Sequence, residues 1–82
     1  MPEREEVSEE AIRRVLEEEE EFRRMRRERA DWDFIGRQPP RVRAALEYYV
    51  ETGDIRTSSR IAGLSLCEFR SLLRRARIPV VT

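Results

Sequence analysis

Apolar residues recur at helical spacing along most of the chain, and glycines and prolines mark where that spacing breaks. The pattern predicts an all-α protein in two parts. Residues 1–38 hold a long acidic helix and an arm that contains arginine and tryptophan, whereas residues 39–82 form a three-helix domain. Within that domain, a helix-turn-helix is predicted over Ser58 to Ala76.

The long N-terminal helix is predicted to begin at Ser8, because a capping hydroxyl followed by two glutamates is typical of a helix start. Its apolar stripe is thin and is interrupted by the acidic run Glu17 to Glu21. Such a stripe is too narrow to form a core alone. The helix should therefore pack on the C-terminal domain, on a second copy of the chain, or on another protein. The stripe comprises Ile12, Val15, Leu16, Phe22, Met25 and Trp32.

The segment from Asp31 to Arg41 breaks the helical pattern with one glycine and two adjacent prolines. It is interpreted as a linker or an extended arm. Pro40 suits the first turn of a new helix, which Gly53 should end. One face of that helix is predicted to be buried: Val42, Ala45, Leu46, Tyr49 and Val50.

The last two helices are predicted on either side of Gly63. A short helix from Thr57 to Ala62 turns Ile61 and Ala62 inward. Ser65 and Glu68 have the spacing of a capping box that starts the next helix, and Pro79 ends it. The buried stripe of this last helix should comprise Leu66, Phe69, Leu72, Leu73 and Ala76. The tail from Ile78 to Val81 is β-prone, and it either pairs as a single strand across an interface or frays.

Charge is distributed unevenly along the chain. Charged residues make up 41% of the sequence, and the formal net charge is zero. Residues 1–35 carry 8 arginines against 13 carboxylates, a net −5, and residues 36–82 carry 9 arginines against 4 carboxylates, a net +5. This asymmetry suggests two different partners. Every basic residue is arginine, which suits bidentate contacts to phosphate or carboxylate but would also result from a biased genome.

The outer face of the last helix is basic and hydroxylated, as a recognition helix in the DNA major groove requires. The residues predicted to bind DNA on this face are Cys67, Arg70, Ser71, Arg74 and Arg75. Arg56 and Arg60, on the preceding helix, are predicted phosphate clamps. The alternative is a solvated face whose arginines are favoured by the negative end of the helix dipole.

A second cluster mixes arginines with aromatic and apolar residues at the end of the N-terminal part. Arginine and tryptophan are common interface anchors, so the cluster is a predicted partner-binding site. In the alternative, the apolar members fold back onto the C-terminal domain and complete its core. The predicted partner-binding residues are Arg23, Arg24, Arg26, Arg27, Trp32, Phe34 and Ile35.

Several classes of chemistry find no support in the composition. The chain has one cysteine and no histidine, which excludes an internal disulfide, a Cys–His nucleophile within one chain and the usual zinc sites. No enzyme activity, metal or other cofactor is expected. The N-terminus opens with Glu3, Arg4 and Glu5 rather than a signal segment, and a soluble cytoplasmic protein is predicted.

The stretch from Gly53 to Val81 resembles the C-terminal helix-turn-helix of small prokaryotic VapB-type antitoxins. The resemblance is carried by Gly53, by Ala62-Gly63-Leu64, by Ser65 to Glu68 with Phe69, and by Ile78-Pro79-Val80. One departure is Ser58-Ser59, where the family commonly has two alanines. The resemblance implies a homodimer that binds an operator in double-stranded DNA, represses its own operon and neutralises a ribonuclease toxin of the PIN-domain type. The Arg23 to Ile35 segment would then occupy the toxin's acidic cluster.

Overall fold

The computed structural model describes residues 8–80, and this part of the chain is all-helical. The described residues extend over 50 × 28 × 18 Å. Residues 1–7 and 81–82 lie outside the described part of the chain, and these include Val81 of the predicted strand. The helices are α1 (Glu9–Arg29), α2 (Trp32–Gly36), α3 (Pro40–Thr52), α4 (Ile55–Ala62) and α5 (Leu66–Arg75).

The core forms where α3 and α5 bury their apolar faces. Tyr49 of α3 and Phe69 of α5 meet edge to face, with ring centroids 6.1 Å apart. The predicted buried faces are confirmed for both helices, with two differences. Val42 is only half-buried, and Leu66 is 44% exposed, because it lies in the first turn of α5, in a depression beside α4 that opens to solvent.

The predicted linker or arm is wrong, because residues 32–36 form α2. The Asp31 carboxylate caps this helix by accepting a hydrogen bond from the Phe34 backbone N–H at 3.0 Å. The Asp31 backbone N–H donates to the Ala76 carbonyl at 2.8 Å, which ties the start of α2 to the end of α5. Ala30 and Ile35 are buried in the same core as α3 and α5, so this core crosses the boundary predicted at residue 38.

Helix α4 begins two residues before the predicted start, because Asp54 caps it by accepting from the Thr57 backbone N–H at 3.1 Å. Ser58 and Ser59 are both buried. Their hydroxyls donate to carbonyls of their own chain, Ser58 to Asp54 at 2.6 Å and Ser59 to Arg56 at 2.8 Å. The buried hydroxyls are therefore satisfied without a partner from another helix.

Helix α5 starts with the predicted capping box, in which Ser65 and Glu68 exchange side-chain and backbone hydrogen bonds at 3.1 Å each. It ends in a turn at Arg77, whose φ of 58° is uncommon for a residue with a side chain. The turn carries Ile78 into the core, where it is 4% exposed. Residues 78–80 form no strand; Ile78 packs in the core of its own domain, whereas Val80 is 40% exposed.

Helix α1 is confirmed to start at Ser8, whose hydroxyl accepts from the Ala11 backbone N–H at 3.1 Å. Only its C-terminal end packs against the rest of the molecule. Residues 12–21 are all exposed, including Ile12, Val15 and Leu16 at 48%, 53% and 58%. We call residues 9–21 the projecting segment, because this part of a helix about 31 Å long extends beyond the core.

Candidate nucleic-acid interface

One side of α5 is buried, and its opposite side carries a continuous exposed stripe. Leu66, Arg70 and Arg74 follow one another at four-residue intervals and therefore lie in one row along the helix. Cys67 and Ser71 are exposed beside this row. Because Phe69, Leu72 and Leu73 are fixed in the core, the row has a defined direction relative to the domain.

Helix α4 adds two arginines to the start of this row. Arg56 and Arg60 are exposed, one turn apart, and with Leu66 and Ser59 they line a shallow depression. Arg70 and Arg74 line a second depression with the tail of the chain: Ile78, Pro79 and Val80. We call the combined surface the α4–α5 outer face; it comprises Arg56, Arg60, Leu66, Cys67, Arg70, Ser71, Arg74 and Val80.

The arginine side chains of the α4–α5 outer face form no hydrogen bond or salt bridge with the described residues. No carboxylate or carbonyl there accepts a hydrogen bond from the guanidinium groups of Arg56, Arg60, Arg70 or Arg74. At longer range, Arg60 adds to the Thr57 hydrogen bonds that lower the pKa of Asp54. Glu68 is the one carboxylate of α5, and it is held at the helix start by Ser65. The Ser65 hydrogen bonds lower the pKa of Glu68, so its charge is fixed at the capping position. The outer face is therefore cationic and available to anions.

Arg75 differs from the other arginines of α5, because it stacks on an aromatic ring of the same chain. Its guanidinium lies 5.4 Å from the centroid of the Phe34 ring. This cation–π contact joins α5 to α2. Of the residues predicted to bind DNA, the structure brings six onto one surface and places Arg75 at its border.

The arginines of the predicted partner-binding cluster have a different environment, at the C-terminal end of α3. Arg23 Nε donates to the Glu51 carbonyl at 2.8 Å, and Arg26 Nε donates to the Val50 carbonyl at 2.9 Å. Arg27 Nη2 bonds the Glu51 carboxylate at 2.8 Å. Arg23 and Arg26 satisfy carbonyls that a helix end leaves unpaired, and all three side chains place positive charge at the negative end of its dipole. We call them the α3-end cluster.

Arg26 is the centre of the α3-end cluster and is 8% exposed. Its guanidinium lies 5.9 Å from the Tyr49 ring centroid, and burial lowers the pKa of Arg26. Gly53 ends α3 in the left-handed conformation at φ 70°. A Cβ there would lie 3.2 Å from Arg26 Nη1, so glycine serves both the turn and the close approach of the arginine.

Arg41, for which the sequence predicts no role, repeats this arrangement one helix later. Its Nε donates to the Ile61 carbonyl at 2.6 Å, at the end of α4. Gly63 ends that helix at φ 69°, and a Cβ there would lie 3.2 Å from Arg41 Cζ. The available signal was an arginine in the preceding helix and a glycine stop, but no fixed spacing joins them.

The remaining predicted partner-binding residues are divided between core and surface. Ile35 is 1% exposed and Phe34 packs half-buried against the core, as in the intramolecular alternative. Trp32 is 45% exposed, and its indole Nε1 donates to the Arg27 carbonyl at 2.9 Å. Arg24 is exposed. The cluster therefore does not form one continuous exposed surface.

Within residues 8–80, no group of three or more carboxylate or cysteine side chains is placed to hold a metal ion. No helix in the same range has the length and apolar character needed to cross a bilayer. Compared with known proteins, the chain matches no family model, no curated protein and no solved structure.

Proposed function

We propose that the protein is a DNA-binding transcriptional regulator and that α3, α4 and α5 form a helix-turn-helix domain. The observation that carries the proposal is the row along α5, where Arg70 and Arg74 are exposed without polar partners while the opposite side of the helix is fixed in the core. A three-residue turn that begins at the left-handed Gly63 separates α4 from α5. Such a turn is typical of helix-turn-helix proteins.

In this proposal α5 lies in the major groove. Cys67, Arg70 and Ser71 face base edges from the first turns of the helix, and Arg74 contacts a base or a phosphate. Arg56 and Arg60 contact phosphates at the flank of the groove. The four exposed arginines provide a sequence-independent attraction, and the row of α5 provides the sequence preference.

The test is selection from a pool of random duplexes at low salt, followed by affinity measurements on the enriched sequence. We expect the wild-type protein to enrich a common motif. Arg70→Ala/Arg74→Ala should weaken binding to it by about tenfold or more, since each arginine contact to a base contributes about 1–3 kcal/mol. Arg13→Ala/Arg14→Ala removes the same charge from the projecting segment and should have little effect. No enrichment, or equal loss in both variants, would reject the proposal.

A narrower form of the proposal is an antitoxin that represses its own operon as a dimer and neutralises a ribonuclease toxin. Its support is the resemblance of Gly53 to Val81 to VapB-type antitoxins. The test is co-expression with a neighbouring gene product that carries a PIN-like set of acidic residues. A stable complex that suppresses ribonuclease activity would support the antitoxin form. If the ribonuclease activity is not suppressed at any ratio of the two proteins, the antitoxin form is rejected and the broader proposal of a DNA-binding regulator remains.

The second candidate is an interaction module with no nucleic-acid role. It is favoured by the projecting segment, where three apolar side chains are about half exposed. The two candidates differ in one simple measurement. A cationic DNA-binding face must bind even random duplex weakly at low salt, whereas the interaction module need not.

A further inference from the structure

Apolar side chains on the projecting segment lie among charged residues in which carboxylates outnumber arginines, as around Leu16, which shares a depression with Arg13, Glu17, Glu20, Glu21 and Arg24. Ile12, Val15 and Leu16 lie along one side of the helix, and Glu19 and Glu20 continue that side one turn later. The segment carries 7 glutamates against 2 arginines, a net charge of −5. A stable occupant must therefore offer both apolar contact and positive charge.

The α4–α5 outer face offers this combination. Leu66 and Val80, at 44% and 40%, are the exposed large apolar side chains of this half of the molecule. Each lies in a depression lined by two arginines, Leu66 with Arg56 and Arg60, and Val80 with Arg70 and Arg74. The two surfaces are thus opposite in charge and alike in having an apolar centre.

We propose that the projecting segment of one copy docks on the α4–α5 outer face of a second copy. Pairing of two projecting segments is the less favourable alternative, since it would bring two net charges of −5 together. Head-to-tail docking instead pairs glutamates with arginines that have no partner in the single chain, and it covers apolar side chains at both surfaces. Two copies can each supply one helix and one face, which closes the assembly as a dimer. Because this dimer covers the face proposed to bind DNA, self-association and duplex binding exclude each other.

The test is a charge exchange between copies, followed by the mass in solution at low and high salt. Glu19→Arg/Glu20→Arg makes the helix side basic, and Arg70→Glu/Arg74→Glu makes the face acidic. We expect the wild type to self-associate at low salt and dissociate as salt rises. The self-association of each variant should be weaker by about tenfold or more. At each helix-to-face contact, the two substituted side chains then oppose two side chains of the same charge on the other copy. An equimolar mixture should form a one-to-one complex.

The matched control is Glu10→Arg/Glu18→Arg, which makes the same change of charge on the opposite side of the same helix, away from the depression that Leu16 and Glu20 line. It should weaken association less than the Glu19/Glu20 variant. All substituted residues are exposed, so unchanged helical circular dichroism verifies folding. A wild type that stays monomeric at low salt would overturn the proposal. So would an Arg70/Arg74 variant that associates like the wild type, since that would indicate pairing of the projecting segments. A mixture that remains monomeric would also overturn it.

Discussion

The α3-end cluster and the α4–α5 outer face are both groups of arginines, but they have different surroundings. In the first, Arg23, Arg26 and Arg27 bond the carbonyl end and a carboxylate of α3. In the second, Arg70 and Arg74 have no polar partner among residues 8–80. The difference shows that a run of arginines in sequence has no fixed role. A nearby helix end with unpaired carbonyls determines whether its charge is used inside the fold or remains available to a partner.

The largest expected effect in this comparison is that of removing the buried arginine. Arg26→Ala should lower the free energy of unfolding by about 2–3 kcal/mol, because the Val50 carbonyl loses a charged hydrogen-bond donor and the Tyr49 ring loses its cation. Urea denaturation measures the change. Arg24→Ala, on the exposed side of the same helix, is the control, and an equal effect of the two variants would contradict the structural role of Arg26.

Arg41 should have a smaller effect, because it caps the end of α4 from an exposed position. Arg41→Ala should lower the free energy of unfolding by about 1 kcal/mol, the usual net value of one such hydrogen bond. The control is Arg43→Ala, also exposed on α3. If the two variants unfold at the same urea concentration, the capping interpretation of Arg41 is wrong.

Acid should act on the α3-end cluster through Glu51. The hydrogen bond from Arg27 lowers the pKa of Glu51 below its ordinary value of 4.5. A carboxylate with a lowered pKa in the folded state stabilises the fold above about 4.5, and that contribution is lost as the pH falls further. Glu51→Gln should therefore flatten the dependence of the unfolding midpoint on pH below about 4.5. An unchanged slope would show that the Arg27–Glu51 pair does not contribute to the pH dependence of stability.

The smallest expected effect on stability is at the α4–α5 outer face. Arg70→Ala/Arg74→Ala should change the free energy of unfolding by less than about 0.5 kcal/mol, because neither guanidinium has a partner in the fold. Thermal and urea unfolding both measure this change. A loss of 2 kcal/mol or more would place these arginines in the same class as Arg26, and the contrast between the two regions would no longer hold.

The helices with an amphipathic stripe and a clear cap could be predicted from the sequence. Gly53 and the Ser65–Glu68 capping box mark the end of α3 and the start of α5, and the apolar spacing gives their buried faces. Helix α2 was missed because five residues are too few for a visible period. Asp31 and Asp54 were missed as caps because they lie beside residues that also suggest turns.

The candidate site was predicted in part. The exposed side of α5 follows from helical spacing once Phe69, Leu72 and Leu73 are assigned to the core. The role of Arg26 does not follow, because it depends on where α1 crosses the end of α3, and no local pattern specifies that crossing. Leu66 is exposed, although helical spacing predicts that it is buried. The spacing gives the direction of the Leu66 side chain but not how far the neighbouring helix extends to cover it.

The salt dependence of duplex binding is the measurement that tests the proposed DNA-binding face most directly. We expect the logarithm of the association constant to fall linearly with the logarithm of salt concentration. For Arg56→Ala/Arg60→Ala, whose side chains are assigned to phosphates, the slope should be smaller in magnitude by about 2, one unit for each lost phosphate contact, when it is measured at protein concentrations at which the chain is monomeric. Arg13→Ala/Arg14→Ala should retain the wild-type slope. Absence of duplex binding at low salt, or identical slopes for all three proteins, would contradict the assignment of the α4–α5 outer face to DNA.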